Sequence, residues 1–185
     1  MTTPLRILGI SGSLRKESYN KKLLDAAKAL CPDGAEMTLL DWANVPLFNQ
    51  DLEMNPPQAV TEVKAAIRAA DAIVFATPEY NYSIPGPLKN LIDWASRPYG
   101  DSAWQGKPVA VIGAAFSRGG SVRAQMALRQ CFLFLNMPPV QSPEVFVTDF
   151  AHTFDAEGRY VDEDGKKAIR QVLENLVALT TKLKG

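Results

Sequence analysis

Three serines and an asparagine at fixed spacing, Ser11-x-Ser13-x-x-x-x-Ser18-x-Asn20, are the first residues in this chain whose types could do chemistry. Hydroxyls at 11, 13 and 18 can each donate to an anion's oxygen, and Arg15 between them could add a charge-assisted bond. The spacing is not Gly-x-Gly-x-x-Gly, which disfavours a pyrophosphate lying against glycine backbone. Nor is it Gly-x-x-x-x-Gly-Lys-Ser/Thr, so a Walker triphosphate site is disfavoured too. What remains is a phosphate monoester on a helix N-terminus, where amides and dipole favour an anion. Taken alone, the same residues would also serve as a serine-rich turn capping a helix.

Two further stretches carry suitable groups. Pro78-Glu79-Tyr80-Asn81-Tyr82-Ser83 offers aromatic surface, and its Glu79, Tyr80 and Asn81 amides offer donors; together these suit a planar heterocycle. Ser117-Arg118-Gly119-Gly120-Ser121 places two glycines where backbone can approach a ligand closely. The single histidine, His152, leaves no Ser-His-Asp set and no His/Cys metal site.

The elements that must position these stretches alternate along the chain. Apolar runs predict strands at Leu5–Ile10, Glu36–Asp41, Ala72–Ala76, Val109–Ala115 and Glu144–Val147. Helical periodicity follows each one: Asn20 to Leu30, a helix opened by Pro56 and Pro57, one from Pro87 through Trp94, one from Ser121 to about Leu135, and a closing helix over Lys166 to Lys182. The stretch through Asp155, Gly158, Asp164 and Gly165 reads as turns. This βα alternation predicts a single α/β domain spanning residues 1–185, a three-layer sandwich around a five-stranded parallel sheet of order 2-1-3-4-5. In such a sheet the ligand crevice lies outside the carboxyl ends of strands one, three and four. Those ends are the three stretches already named. A phosphate monoester joined to a flat ring rich in acceptors describes FMN, and a flavin would supply the redox chemistry itself.

Composition bounds the rest. In 185 residues, 46% of them apolar, twenty basic and twenty acidic side chains cancel. Neither a nucleic-acid groove nor an anionic membrane surface is expected. No apolar run is long enough to span a bilayer, and Pro4 and Arg6 break any signal-peptide pattern, so a cytoplasmic location is expected. Cys31 and Cys131 are expected to be reduced.

Gly9-Ile10-Ser11-Gly12-Ser13-Leu14-Arg15 with Ser18 and Asn20, and Thr77-Pro78-Glu79-Tyr80-Asn81-Tyr82-Ser83-Ile84-Pro85-Gly86-Pro87-Leu88-Lys89-Asn90 with Asp93-Trp94, resemble the NADPH-dependent FMN reductase family, with the bacterial quinone and chromate reductases as nearest kin. The resemblance implies a flavodoxin-like fold and a ping-pong reductase. NADPH or NADH would reduce FMN, and a quinone, chromate, azo compound or free flavin would take two electrons. It also implies that Ser11, Ser13, Arg15, Ser18, Tyr19 and Asn20 hold the phosphate end. Pro78, Glu79, Tyr80 and Asn81 would then border the ring, with Ser117, Gly119 and Gly120 on its other side. Arg97 and Tyr80 become candidates for substrate contact. A homodimer or homotetramer is implied, with Trp94, Tyr99 and Trp104 as interface or core residues. A cluster joining some relatives would match Arg123, position 126 and Glu144, but position 126 is Met here, which weakens that network. Two other readings stay open from the residues alone: a non-enzymatic flavodoxin-like electron carrier, and a phosphate-ligand module without flavin. Carriers of the first kind tend to be acidic, and this chain is neutral.

Overall fold

The computed structural model describes residues 3–185. Its elements run β1 Leu5–Ser11, α1 Tyr19–Ala29, β2 Ala35–Leu39, α2 Gln58–Ala69, β3 Ala72–Ala76, α3 Gly86–Ala95, β4 Val109–Ala114, α4 Val122–Leu135, β5 Phe146–Val147, α5 Phe150–Thr153 and α6 Glu163–Lys184. The five strands pair in parallel in the order β2-β1-β3-β4-β5. This is the expected flavodoxin-like topology.

Strand alternation builds the three layers, because successive side chains leave a strand on opposite faces. Ile7, Val74, Ala76 and Ile112 pack under α1 and α6, against Leu23, Leu24, Ala27, Ile169, Val172, Leu173 and Leu176. Leu8, Ile10, Ile73, Phe75 and Val111 face the other way, into Val63 and Ile67 of α2, Leu88 and Leu91 of α3, and Leu128 and Phe132 of α4. Phe75 sits 5.7 Å from Trp104 and 5.8 Å from Phe132, centroid to centroid. Removing a buried ring of this kind costs about 3–5 kcal/mol. Trp94 and Trp104 belong to the core, each with its indole N–H satisfied by a carbonyl, Pro46 O at 2.8 Å and Ile92 O at 3.0 Å. Tyr99 is exposed.

The main departures from the expected boundaries are at β2, at β5, which starts at Phe146 where Glu144 was expected, and in the stretch read as turns. β2 occupies Ala35–Leu39, with only Met37 buried, because it is an edge strand and Asp41 already starts a turn. The stretch read as turns holds two pieces of helix: the short α5, and an α6 that begins at Glu163. Asp162 caps α6 by accepting from Asp164 N at 3.2 Å. Gly165 lies inside that helix, since any Cβ there would strike the Tyr160 hydroxyl. The glycine marks a close approach, where a turn was expected.

At the amino edge of the sheet, Asp71 ties the far end of α6 to β1. Its carboxylate accepts from the Arg6 amide at 2.7 Å and from Lys184 Nζ at 2.7 Å.

Candidate functional site

The carboxyl ends of β1, β3 and β4 release three loops, and hydrogen bonds tie them to one another before any side chain reaches outward. Gly12 N donates to Ala76 O at 2.7 Å, joining the first loop to the end of β3. Thr77 N donates to Ile112 O at 3.1 Å, joining that end to β4. The Asn20 amide bridges the first loop to the third: Nδ2 donates to Ala114 O and Oδ1 accepts from Ala114 N, both at 2.9 Å.

In the first loop the serines divide their work. Ser11 turns its hydroxyl inward, donating to Ser13 O at 3.1 Å and accepting from Ser13 N at 3.2 Å. Ser13 accepts from Arg15 N at 3.3 Å, and Ser18 is the N-cap of α1, accepting from Asn20 N at 3.2 Å. No acceptor among the described residues meets the Leu14, Lys16 or Glu17 amides. The loop therefore offers free donors beside the positive end of a helix.

The second loop is a hairpin two residues long. Tyr80 and Ser83 exchange both backbone hydrogen bonds at 3.0 Å, with Asn81 at φ 51 and Tyr82 at φ 66 between them. Glu79 is the one carboxylate among the cavity's lining residues, and it is engaged by α4. Its side chain, 4% exposed, accepts from the Arg123 and Ala124 amides at 2.9 and 3.3 Å and from Arg123 Nε at 2.6 Å. It supplies the N-terminal cap that Ser121 does not provide for α4. Arg123 in turn lies over the Tyr82 ring, 3.8 Å from its centroid. Within the chain Arg123 pairs with Glu79, and Glu144 is exposed.

In the third loop Ser117 Oγ donates to Gly120 O at 2.7 Å. Gly120 has φ 56, and a Cβ there would stand 3.1 Å from Phe146 Cβ. It closes the turn tightly against β5.

One cavity of about 390 Å3 lies among the three loops. Ser13, Arg15, Ser18, Tyr19 and Asn20 line it from the first, Pro78, Glu79, Tyr80 and Asn81 from the second, and Ser117 from the third. Ser11, Gly119 and Gly120 do not line it; they shape the loops that do. Arg97 is elsewhere. It borders a different hollow, its guanidinium bonded to Glu53 at 2.8 Å and stacked 3.9 Å from the Tyr99 ring. Lining residues not anticipated are Tyr82, Ala114, Ala115, Phe116, Arg123 and Phe150. Phe116 directly follows the predicted fourth strand, and Tyr82 sits inside the quoted motif, so both had a signal in the sequence. Phe150 arrives on α5, where none was visible. Phe150 and Phe154 pack on Tyr19 with ring centroids 4.1 and 4.8 Å from it, and of the three Tyr19 and Phe150 line the cavity. Of the charges lining it, Arg123 and Glu79 neutralise each other, which leaves Arg15 as the cation facing an incoming anion.

The profile of the NADPH-dependent FMN reductase family matches residues 5–152. The chain belongs to that family. Among its members, an NAD(P)H-dependent FMN reductase of Pseudomonas aeruginosa is 45% identical, over 100% of both chains. An NAD(P)H:quinone oxidoreductase of Solanum tuberosum is 44% identical over 98% of this chain and 95% of its own. Among solved structures, the flavoenzyme NAD(P)H:(acceptor) oxidoreductase FerB from Paracoccus denitrificans is 36% identical. It superposes with a TM-score of 0.88 over 96% of this chain and 98% of its own. This FMN reductase family member is thus an FMN-dependent NAD(P)H oxidoreductase. The residues present fit the cofactor: free amides, hydroxyls and Arg15 line the cavity from the first loop, and Pro78, Tyr80, Tyr82 and backbone donors line it from the second. Its volume falls within the roughly 300–1,000 Å3 typical of small-molecule sites.

Proposed function

We propose that the crevice holds FMN with its phosphate against the Ser13–Asn20 turn and its ring against Pro78–Asn81, and that the chain passes two electrons from NAD(P)H to quinones. The observation that carries this is the meeting of three separate loops on one cavity, which they line with different chemistry. Ser13 and Ser18 hydroxyls, the Arg15 guanidinium and the N-terminus of α1 hold the dianion. Tyr19 and Asn20 shape that end from within α1, and Ser11 braces it from behind. Pro78 and Tyr80 border the ring, Asn81 presents its amide from a left-handed backbone, and Ser117 lies across from them with Gly119 and Gly120 setting its turn. Because the Glu79 carboxylate is engaged by α4, that residue serves the ring through its backbone.

FMN held by these residues would supply the redox chemistry, two-electron transfer from NAD(P)H to the acceptor in a ping-pong cycle, while the chain binds and orients it. Quinones, chromate, azo compounds and free flavins are acceptors of suitable potential for such a site. Arg97 is too engaged with Glu53 to meet an acceptor within one chain, so Tyr80 is the better candidate for substrate contact.

The chain is further proposed to be cytoplasmic; no helix among the described residues is long and apolar enough to cross a membrane. It is also proposed to form homodimers or homotetramers. The outer face of α4 supports this, since Met126, Leu133 and Phe134 stand in solvent there.

Anaerobic mixing tests the main reading. The purified protein should titrate with FMN to a bound flavin spectrum, and NADPH or NADH should bleach it. A flavin that neither nucleotide bleaches would leave an electron carrier. A protein that refuses FMN would leave neither flavin reading standing.

A further inference from the structure

Two large aromatic side chains stand in solvent at the same crevice, and each is held there by specific neighbours. Phe116, on the third loop, is 78% exposed, and Tyr82, on the second, is 72% exposed. Leaving such rings out of the core forgoes the free energy that burying them would gain. Tyr82 carries a second cost. It occupies the second central position of a two-residue hairpin in which both central residues have positive φ, where glycine is strongly favoured. Its ring rests on the Arg123 guanidinium, which Glu79 fixes from beneath. Phe116 is braced just as definitely, edge-on to Tyr19 at 5.9 Å and 88°, and 4.4 Å from Phe150. A strained backbone with a held but uncovered ring points to a partner for that ring.

We infer that Tyr82 and Phe116 form an aromatic lip that makes the site selective for fused-ring quinones over single-ring quinones and inorganic oxidants. The inference rests on the flavin reductase reading above. A naphthoquinone carries a second ring whose face adds contact area at the lip while its carbonyls point into the crevice. A benzoquinone presents no such surface, and ferricyanide has no ring at all. Stacking of this kind is worth a modest amount per pair, enough to rank acceptors without trapping the product.

The test uses the FMN-loaded protein and the variants Phe116→Ala and Tyr82→Gly, the second chosen because glycine suits the hairpin. Turnover is measured with 2-methyl-1,4-naphthoquinone, 1,4-benzoquinone and ferricyanide at saturating NAD(P)H. The ratio of kcat/KM for the naphthoquinone to that for ferricyanide should fall roughly three- to tenfold in each variant, through KM. Phe116→Trp should restore it. A ratio that does not move, or a loss shared equally by all three acceptors, overturns the lip. So does a loss of FMN affinity as large as the loss of selectivity, which would make the rings part of the cofactor site. Ferricyanide turnover by the unaltered protein separates these outcomes from failure of the underlying reading, because it requires a reducible flavin and no lip.

Discussion

Ser13, on the first loop, and Asn20, in the first turn of α1, are both buried polar residues, and their hydrogen bonds assign them opposite work. The Ser13 hydroxyl has only the Arg15 amide as a partner among the described residues, and Ser13 lines the cavity. Ser13→Ala should therefore weaken FMN binding by roughly 1.5–3 kcal/mol, the worth of a hydrogen bond to a charged group. A fluorescence titration checks it; an unchanged dissociation constant would make Ser13 a loop brace like Ser11. Asn20 has its whole amide committed to Ala114. Asn20→Ala should instead cost stability, about 2–5 kcal/mol in a denaturant melt, because it strands a buried N–H and C=O at the end of β4. The residue types and their spacing were legible as an anion loop. Which of them face the ligand was not, since Asn20's partner lies 94 residues away. Ser11's inward hydroxyl likewise depends on how the loop folds back on itself.

Among the elements, α4 depends on a residue it does not contain. Glu79 accepts from the amides of its first turn, so the helix begins where the second loop lets it begin. Glu79→Ala should destabilise the protein by about 1–2 kcal/mol through the lost cap, more if the Arg123 charge stays desolvated. Glu79→Gln should recover part of that, since an amide oxygen can still accept. Thermal melts of the two variants would rank them; equal melting temperatures for Glu79→Ala and the unaltered chain would refute the cap. The βα alternation, the sheet order and the loops that form the site could all be read from apolar periodicity and prolines. The excursion after β5 could not. Its α5 is four residues long, too short for a helical period to register, and Gly165 carries a turn signal while serving a packing need.

For the whole molecule, acid should act through the joint between α6 and the sheet. Burial alone would raise the Asp71 carboxyl, but hydrogen bonds from the Arg6 amide and Lys184, with the charges of both side chains, hold it below its ordinary value. A carboxylate with a depressed folded pKa contributes stability above its unfolded pKa, and loses it as pH falls through the folded one. Asp71→Asn should thus be less stable than the parent at neutral pH, by about 1 kcal/mol given its half-exposed cations. The gap should close below the ordinary carboxylate range. Melts across an acid series check it, and a gap independent of pH would rule the ion pairs out. The outer face of α4 belongs to this scale as well. Leu133 is 84% exposed and Phe134 78%, so Leu133→Glu with Phe134→Glu should reduce the mass seen by light scattering while leaving the melting temperature near the parent's. An unaltered mass would place any assembly contact elsewhere.

The hydrogen bonds that join the three loops to one another have a consequence for the rate at which the cofactor is captured. Gly12 is tied to Ala76, Asn20 to Ala114 and Glu79 to α4 by contacts that need no ligand. Folding has already met the ordering cost that a floppy site would defer to binding. FMN association should then be a single exponential whose rate climbs linearly with FMN concentration, without the plateau that a slow loop rearrangement imposes.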